Sequence, residues 1–177
     1  DARTILHAEE RSGATVRANY LSATCNFEPD PALQQRLSTG GSVLLTQGFI
    51  ASDSRGDTVL LGRGGSDTSG SYLAAKLHAH RLEIWTDVPG MFTANPRAVP
   101  NARLLKSLDY DEAQEIASSG AKVLHPRCIL PAKQYSIPLS VHATQRPEVA
   151  GTVITATGGN GGARVKAVCN KKGITLI

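Results

Sequence analysis

The sequence predicts an α/β protein built on an open, mostly parallel sheet, and three observations carry that expectation. A glycine-rich turn, Gly62-Arg63-Gly64-Gly65-Ser66-Asp67-Thr68-Ser69-Gly70, stands between strand-like apolar runs (42–50 and 58–61) and a helix-like run, 72–80. Arg81-Leu82-Glu83-Ile84-Trp85-Thr86 then reads as the next strand, completing a β–loop–α–β order. Two further helical stretches, 109–120 and 121–135, lead to a closing strand at 137–142. In open α/β sheets ligands sit beyond the carboxyl ends of strands, where both the glycine turn and the Thr86-Asp87 strand end fall.

Taken in order, residues 1–24 are mixed: 1–8 could be the end of an element, and 14–21 alternate weakly like a strand. Asn26-Phe27-Glu28-Pro29-Asp30-Pro31 is a breaker, after which Pro31 opens a short polar helix over 32–37, closed by Gly40-Gly41. Ser42-Val43-Leu44-Leu45-Thr46 is almost continuously apolar, which suits a buried parallel strand. Ser54-Arg55-Gly56-Asp57 is a turn, so 58–61 pairs back as a hairpin. Asp109 with Glu112 three residues on has the form of a capping box. Pro126 fits the first turn of the helix that follows. Thr155-Ala156-Thr157-Gly158-Gly159-Asn160-Gly161-Gly162 reads as a linker. Residues 164–169 alternate as a strand beyond it. The chain begins without Met and ends within an apolar run, which leads us to expect a piece of a longer polypeptide.

Composition narrows the function classes. With 177 residues, 41% of them hydrophobic, and a mean hydropathy of −0.16, the chain has the material for one core or slightly more. No run approaches the roughly 20 apolar residues of a membrane helix, and no apolar leader is visible. The net charge of +4 is scattered, without basic blocks or interleaved aromatics, so neither nucleic acid nor a membrane is the expected partner. Cys25, Cys128 and Cys169 lie far apart and form no CxxC, which suits reduced thiols in a cytoplasmic protein and speaks against zinc.

The glycine turn carries the chemistry. Small residues let a ligand approach the backbone, and the free N–H groups of a first helical turn suit a phosphate or carboxylate. Arg63 adds a planar fork that pairs bidentately with such anions. Asp67 would repel an anion unless it orients cations around it. The plainer reading makes Ser66 or Asp67 an N-cap and the glycines a tight turn. The loop from Thr86 to Arg97 is equally open: it is either a binding loop or a hairpin excursion with Asp87 capping a turn and Arg97 solvated. Lys122 could meet a phosphate or be a surface lysine. His125 reads as a packing histidine.

Four motifs, in order, resemble aspartate kinases: Thr46-Gln47-Gly48-Phe49-Ile50-Ala51, Leu61-Gly62-Arg63-Gly64-Gly65-Ser66-Asp67, Ile84-Trp85-Thr86-Asp87-Val88-Pro89-Gly90, and Gly120-Ala121-Lys122-Val123-Leu124-His125-Pro126. The resemblance is strong over residues 40–154. It implies the amino acid kinase fold, a three-layer architecture on an open, mostly parallel sheet. Residues 1–154 would be the C-terminal portion of the kinase domain, 155–162 a linker, and 163–177 the beginning of an ACT-like regulatory domain. The implied reaction moves the ATP γ-phosphoryl to the side-chain carboxylate of L-aspartate, with ATP and Mg²⁺ as co-substrate and its metal. By family analogy Arg63, Gly64, Gly65 and Ser66 hold aspartate, and Asp67 is catalytic. Thr86, Asp87, Phe92, Arg97, Lys122 and Val123 then contact ATP, Phe92 standing where many relatives carry Tyr. The resemblance also implies a homodimer or larger assembly and an amino-acid effector, lysine or threonine, acting through the ACT region. The family's N-terminal Lys-Phe-Gly-Gly loop is not in this chain, so turnover by this polypeptide alone is not expected. The alternatives are another amino acid kinase, or an amino-acid-sensing regulatory fragment.

Overall fold

The computed structural model describes residues 1–39, 43–120, 123–159 and 165–169. The expected α/β architecture is present. Its central sheet contains β5 (Leu82–Thr86), β7 (Leu139–Ala143), β8 (Thr152–Ile154) and β6 (Ser107–Leu108), in that spatial order. The β5–β7 and β6–β8 pairings are parallel, while β7 and β8 run antiparallel. Period-two alternation sends Leu82, Ile84, Leu139, Val141 and Ile154 to one face. There they pack against helices α3 (Gly65–Lys76), α4 (Tyr110–Ser118) and α5 (Ile129–Gln134). The opposite face presents Trp85, 47% exposed, stacked on His142 at a centroid distance of 4.8 Å. Among the described residues no helix is long and apolar enough to cross a membrane.

A second, smaller core gathers Leu6, Ala23, Cys25, Ala51, Val59, Leu61 and Tyr72. It lies around β1 (Ala8–Glu9), β2 (Thr24–Cys25) and the antiparallel hairpin of β3 (Ile50–Ser52) and β4 (Thr58–Leu60). Phe27 packs against both cores and stacks on Tyr72 at 5.5 Å. The hairpin is the one expected, with Gly56 in its turn at φ 85°.

Local signals fixed several element ends as expected. Asp30 caps α2 (Pro31–Ser38) by accepting from Leu33 N, with Pro31 at the first helical position. Asp109 and Glu112 form the capping box of α4 in both directions, at 2.8 and 3.1 Å.

Five expectations are corrected. Residues 123–125, expected inside a helix from 121, are not helical: the helical segment opens at Pro126 as a 3-10 turn capped by His125, which accepts from Arg127 N. Residues 16–21 form a helix, α1 (Val16–Leu21), capped by Thr15 through Ala18 N. Val16 is 87% exposed, so no buried face enforces the weak alternation. The apolar run at 43–46 is not a buried strand: Val43 is 85% and Leu45 98% exposed. Among the described residues no strand lies beside it, and an extended run without a ladder partner cannot bury its backbone. The helix expected at 72–80 begins at Gly65 and ends at Lys76. It stops because His78 turns left-handed at φ 49°, with Ala79 N donating to Ala74 O as in a Schellman closure. Finally, residues 165–169 form no strand, and Val168 N donates to Thr93 O.

The start of the expected linker is anchored rather than free. Ser107 Oγ donates to Gly158 O at 2.6 Å, and a Cβ on Gly159 would lie 2.4 Å from the Asp109 carboxylate. Lys166 pairs with Glu112 beside them.

Candidate active site

The candidate site is built where β4 passes into α3. Gly62 and Gly64 both adopt left-handed φ, 75° and 67°, so the chain reverses within three residues and enters the helix at Gly65. Gly64 O accepts from Thr68 N and Thr68 Oγ1, both at 2.9 Å, which closes the first turn without a side-chain cap. Gly65 N donates back to Gly62 O at 3.0 Å, so the N–H groups left for an anion on this turn are those of Ser66 and Asp67, with Gly64 before them. Arg63 and Ser66 are exposed and Asp67 is half-buried on this first turn, while Gly65 is buried.

Two rings pack on the glycines. A Cβ on Gly64 would sit 2.3 Å from Cβ and Cγ of His125, and one on Gly65 would sit 2.5 Å from Cδ2 of Phe49. Neither position has room for a side chain. Phe49 is itself held at φ 74°, with its N–H donating to Ser69 Oγ at 3.2 Å. A bulky residue in that region is strained and must be held by its surroundings. Gly48, Phe49 and Ser69 thus brace the turn from the α3 side.

His125 is the unforeseen member. The sequence suggested packing only, yet its ring rests on Gly64 and shares its electrostatic environment with Arg63, Asp67 and Arg127. Its Nδ1 accepts from Arg127 N at 3.3 Å, which leaves the proton of the neutral ring on Nε2. Burial and the positive charges of Arg127 and Arg63 depress the His125 pKa, against the pull of Asp67. Asp67 moves the other way: burial raises its carboxyl pKa, opposed by the His125 backbone N–H and ring. The carboxylate is therefore costly in the free protein, and a cationic ligand complex would relieve it.

The residues expected to meet a nucleotide divide into two groups. Thr86 ends β5, its carbonyl accepting from Thr144 N at 2.8 Å, and its hydroxyl donates to Asp87 Oδ1 at 3.2 Å. The loop after it folds back on itself through the Phe92–Leu104 bridge and the Leu105 N to Met91 O bond. It is pinned to β8 where Gly90, at φ 154°, presses on Thr152, whose hydroxyl accepts from Met91 N and donates to Leu105 O. Phe92 is half-buried, and Asp87 and Arg97 are exposed. The hairpin excursion is therefore real, and its exposed charges remain free to bind. Among the described residues no hydrogen bond or ion pair joins Thr86, Asp87, Phe92 or Arg97 to the 62–67 turn.

Val123 stands apart from that loop and packs against the main core. It is half-buried and lies two residues before His125, so its Cα is within about 7 Å of the residue resting on Gly64. Lys122 lies outside the described residues. No three His, Cys, Asp or Glu side chains converge as a metal site among the described residues.

Comparison with known proteins agrees with the fold. Residues 16–142 match the model of the amino acid kinase family. The lysine-sensitive aspartokinase 3 of Escherichia coli (strain K12) is 42% identical over 154 residues, which are 87% of this chain and 33% of that protein. A bifunctional aspartokinase/homoserine dehydrogenase of Buchnera aphidicola is 47% identical over 137 residues, 77% of this chain and 17% of that protein. The crystal structure of E. coli aspartokinase III with aspartate and ADP superposes with a TM-score of 0.78 at 37% identity. It covers 90% of this chain and 34% of that one. The chain thus spans between 17% and 34% of the length of these relatives.

Proposed function

The chain belongs to the amino acid kinase family, and from that premise we propose that it is part of an aspartate kinase. The enzyme would transfer the γ-phosphoryl of ATP to the side-chain carboxylate of L-aspartate, giving 4-phospho-L-aspartate, early in amino-acid biosynthesis in the cytoplasm. One observation carries the reading most: a helix N-terminus, an exposed arginine fork and a half-buried carboxylate share one glycine turn that two rings hold in place. Similarity to a structure that holds aspartate and ADP supports it.

In this reading Arg63, Gly64, Gly65 and Ser66 hold aspartate: the Arg63 fork and the N–H groups of Gly64 and Ser66 would bind it, while Gly65, its N–H spent on Gly62 O, lets it approach the backbone. The acceptor is a carboxylate with an ordinary pKa near 3.9, already ionised at neutral pH, so no base is needed to activate it. A carboxylate oxygen bonds to the γ-phosphorus while the bond from that phosphorus to the bridging oxygen breaks and ADP leaves. What remains is alignment and charge, the main contributions to phosphoryl transfer. Asp67 would act there by fixing the cationic groups around the transferring phosphoryl. Thr86, Asp87, Phe92, Arg97, Lys122 and Val123 would hold the nucleotide. Mg²⁺ would arrive with ATP, held mainly by phosphate oxygens and supplying charge neutralisation, a role that needs no dedicated protein cage.

The similarity to a lysine-sensitive relative favours an amino-acid effector, lysine or threonine, read by an ACT-like region opening at residues 163–177. A homodimer or larger assembly belongs to the same reading. The test is ATP-dependent phosphoryl transfer by the full-length protein with L-aspartate, L-glutamate or UMP offered singly, read as ADP release for all three and, for the two carboxylate acceptors, as hydroxamate formed with hydroxylamine. Product with aspartate alone supports the reading, and product with either other acceptor and none with aspartate would replace it with another amino acid kinase activity.

A further inference from the structure

We propose that Arg127 is a positioning residue for the aspartate turn, acting through Leu61 on one side and His125 on the other; the inference rests on the aspartate kinase reading above. The Arg127 guanidinium is half-buried and spends its fork on the backbone. Nη1 donates to Leu61 O at 2.8 Å and Nη2 to Ala23 O at 2.7 Å, with longer contacts to Ser22 Oγ and Thr24 Oγ1. Among the described residues it forms no ion pair. A half-buried arginine whose partners are all neutral leaves its charge uncompensated, and that charge is felt at His125.

The acceptors decide what this does. Leu61 is the residue immediately before Gly62-Arg63-Gly64, so fixing its carbonyl fixes the direction in which the turn leaves β4. Gly62 also abuts the strand-entry segment that Arg127 clamps: a Cβ there would lie 3.0 Å from Ser22 Oγ and 3.1 Å from Leu21 O. The main-chain N–H of the same arginine donates to His125 Nδ1, setting the ring that rests on Gly64. One residue, 66 positions away from Leu61, therefore grips both ends of the tripeptide that presents Arg63. The fork holds Leu61 O and Ala23 O from two separate nitrogens in one fixed plane, a geometry that the single nitrogen of a shorter lysine side chain does not reproduce. The chemistry served is recognition of a carboxylate substrate; among the described residues no hydrogen bond or ion pair joins Thr86 or Asp87 to this relay.

The test compares wild-type full-length protein with Arg127→Lys and Arg127→Gln, reading aspartate KM, ATP KM, kcat and thermal midpoint. Losing charge-assisted hydrogen bonds that set the turn is expected to raise aspartate KM about 10- to 100-fold in both variants while ATP KM stays within about twofold. A merely structural role would lower the amount of active enzyme and leave both KM values in place. Wild-type aspartate KM in Arg127→Lys, or equal rises in both KM values, would overturn the proposal. Should Arg127→Gln not fold, Arg127→Lys decides. Should the wild-type protein not phosphorylate aspartate, the function reading fails on its own. The relay is then judged from a crystal structure of Arg127→Lys, which keeps the main-chain N–H that His125 accepts: an unmoved Leu61–Gly64 turn would overturn it and a displaced turn would support it.

Discussion

The imidazole of His125 lies directly on the α-carbon of Gly64, so closely that a Cβ there would be 2.3 Å from the ring. This contact joins two segments the sequence keeps 61 positions apart and gives Gly64 two separate reasons to be glycine. Its φ of 67° is left-handed, and the space beside it is taken. Gly64→Ala should therefore destabilise the protein by about 1–3 kcal/mol from backbone strain alone, with a further loss of aspartate binding as the ring is displaced. Urea unfolding and an aspartate titration measure the two effects.

Asp67 carries a conflict between stability and function. Burial raises its folded pKa, so the folded protein binds the proton more readily than the unfolded chain between the ordinary value of 3.8 and the raised one. Its contribution to stability is therefore lost as pH rises through that window, and at neutral pH the charge is a net cost. Asp67→Asn should raise the thermal midpoint at pH 7.5 and leave it nearly unchanged at the acid end. The same variant should lower turnover by about 10²- to 10³-fold, the scale of losing one preorganised electrostatic group, with little change in aspartate KM. Calorimetry across pH and steady-state kinetics test both parts.

His125 titrates with the opposite sign. Its folded pKa lies below the ordinary 6.5, so the unfolded chain takes up the proton first as pH falls. Stability should decline from about pH 6.5 down through the lowered folded value, then level off. His125→Gln should flatten that segment of the profile, which thermal unfolding at closely spaced pH values would reveal.

The thiols differ in reactivity. Burial pushes the Cys25 pKa up to about 12, and that of Cys128 upward as well, while both side chains are buried. Thiolate is the reacting form, so both should resist alkylation in the native protein. Cys169, half-buried, should be modified first by iodoacetamide. Peptide mass mapping after brief labelling, with and without denaturant, checks this order.

Much of the architecture was legible because it is written locally. Asp109 and Glu112 announced the α4 cap, Asp30-Pro31 the start of α2, and Ser54 to Asp57 the hairpin turn, since each signal is satisfied by neighbours in sequence. The strands β5 and β7 were readable from apolar alternation. The two-residue strands β1, β2 and β6 were not, because pairs such as Ala8 with Cys25 are set by distant partners. Residues 43–46 look like a strand on composition, but a strand is a property of two segments and no described neighbour supplies the ladder. The start of α3 was misplaced because glycine, serine and threonine are poor helix formers. Burial of Thr68, Ser69 and Ser71 outweighs that propensity.

The site divided in the same way. Arg63 and Asp67 stood out because charges inside a glycine turn have no packing use. His125 and Arg127 carried no such signal: their relevance comes from contacts with Gly64, Leu61 and Ala23 that no spacing rule encodes. The hydrogen bond from Phe49 N to Ser69 Oγ was likewise invisible before the fold brought them together.

The central claim is that the turn at 62–67 receives the acceptor carboxylate through Arg63. The most direct measurement is the aspartate KM of the full-length protein against that of Arg63→Ala, with ATP held saturating. The account predicts a rise of at least about 30-fold, the cost of truncating one partner of a close charge pair, with ATP KM unchanged. An aspartate KM equal to wild type in the folded variant would contradict it.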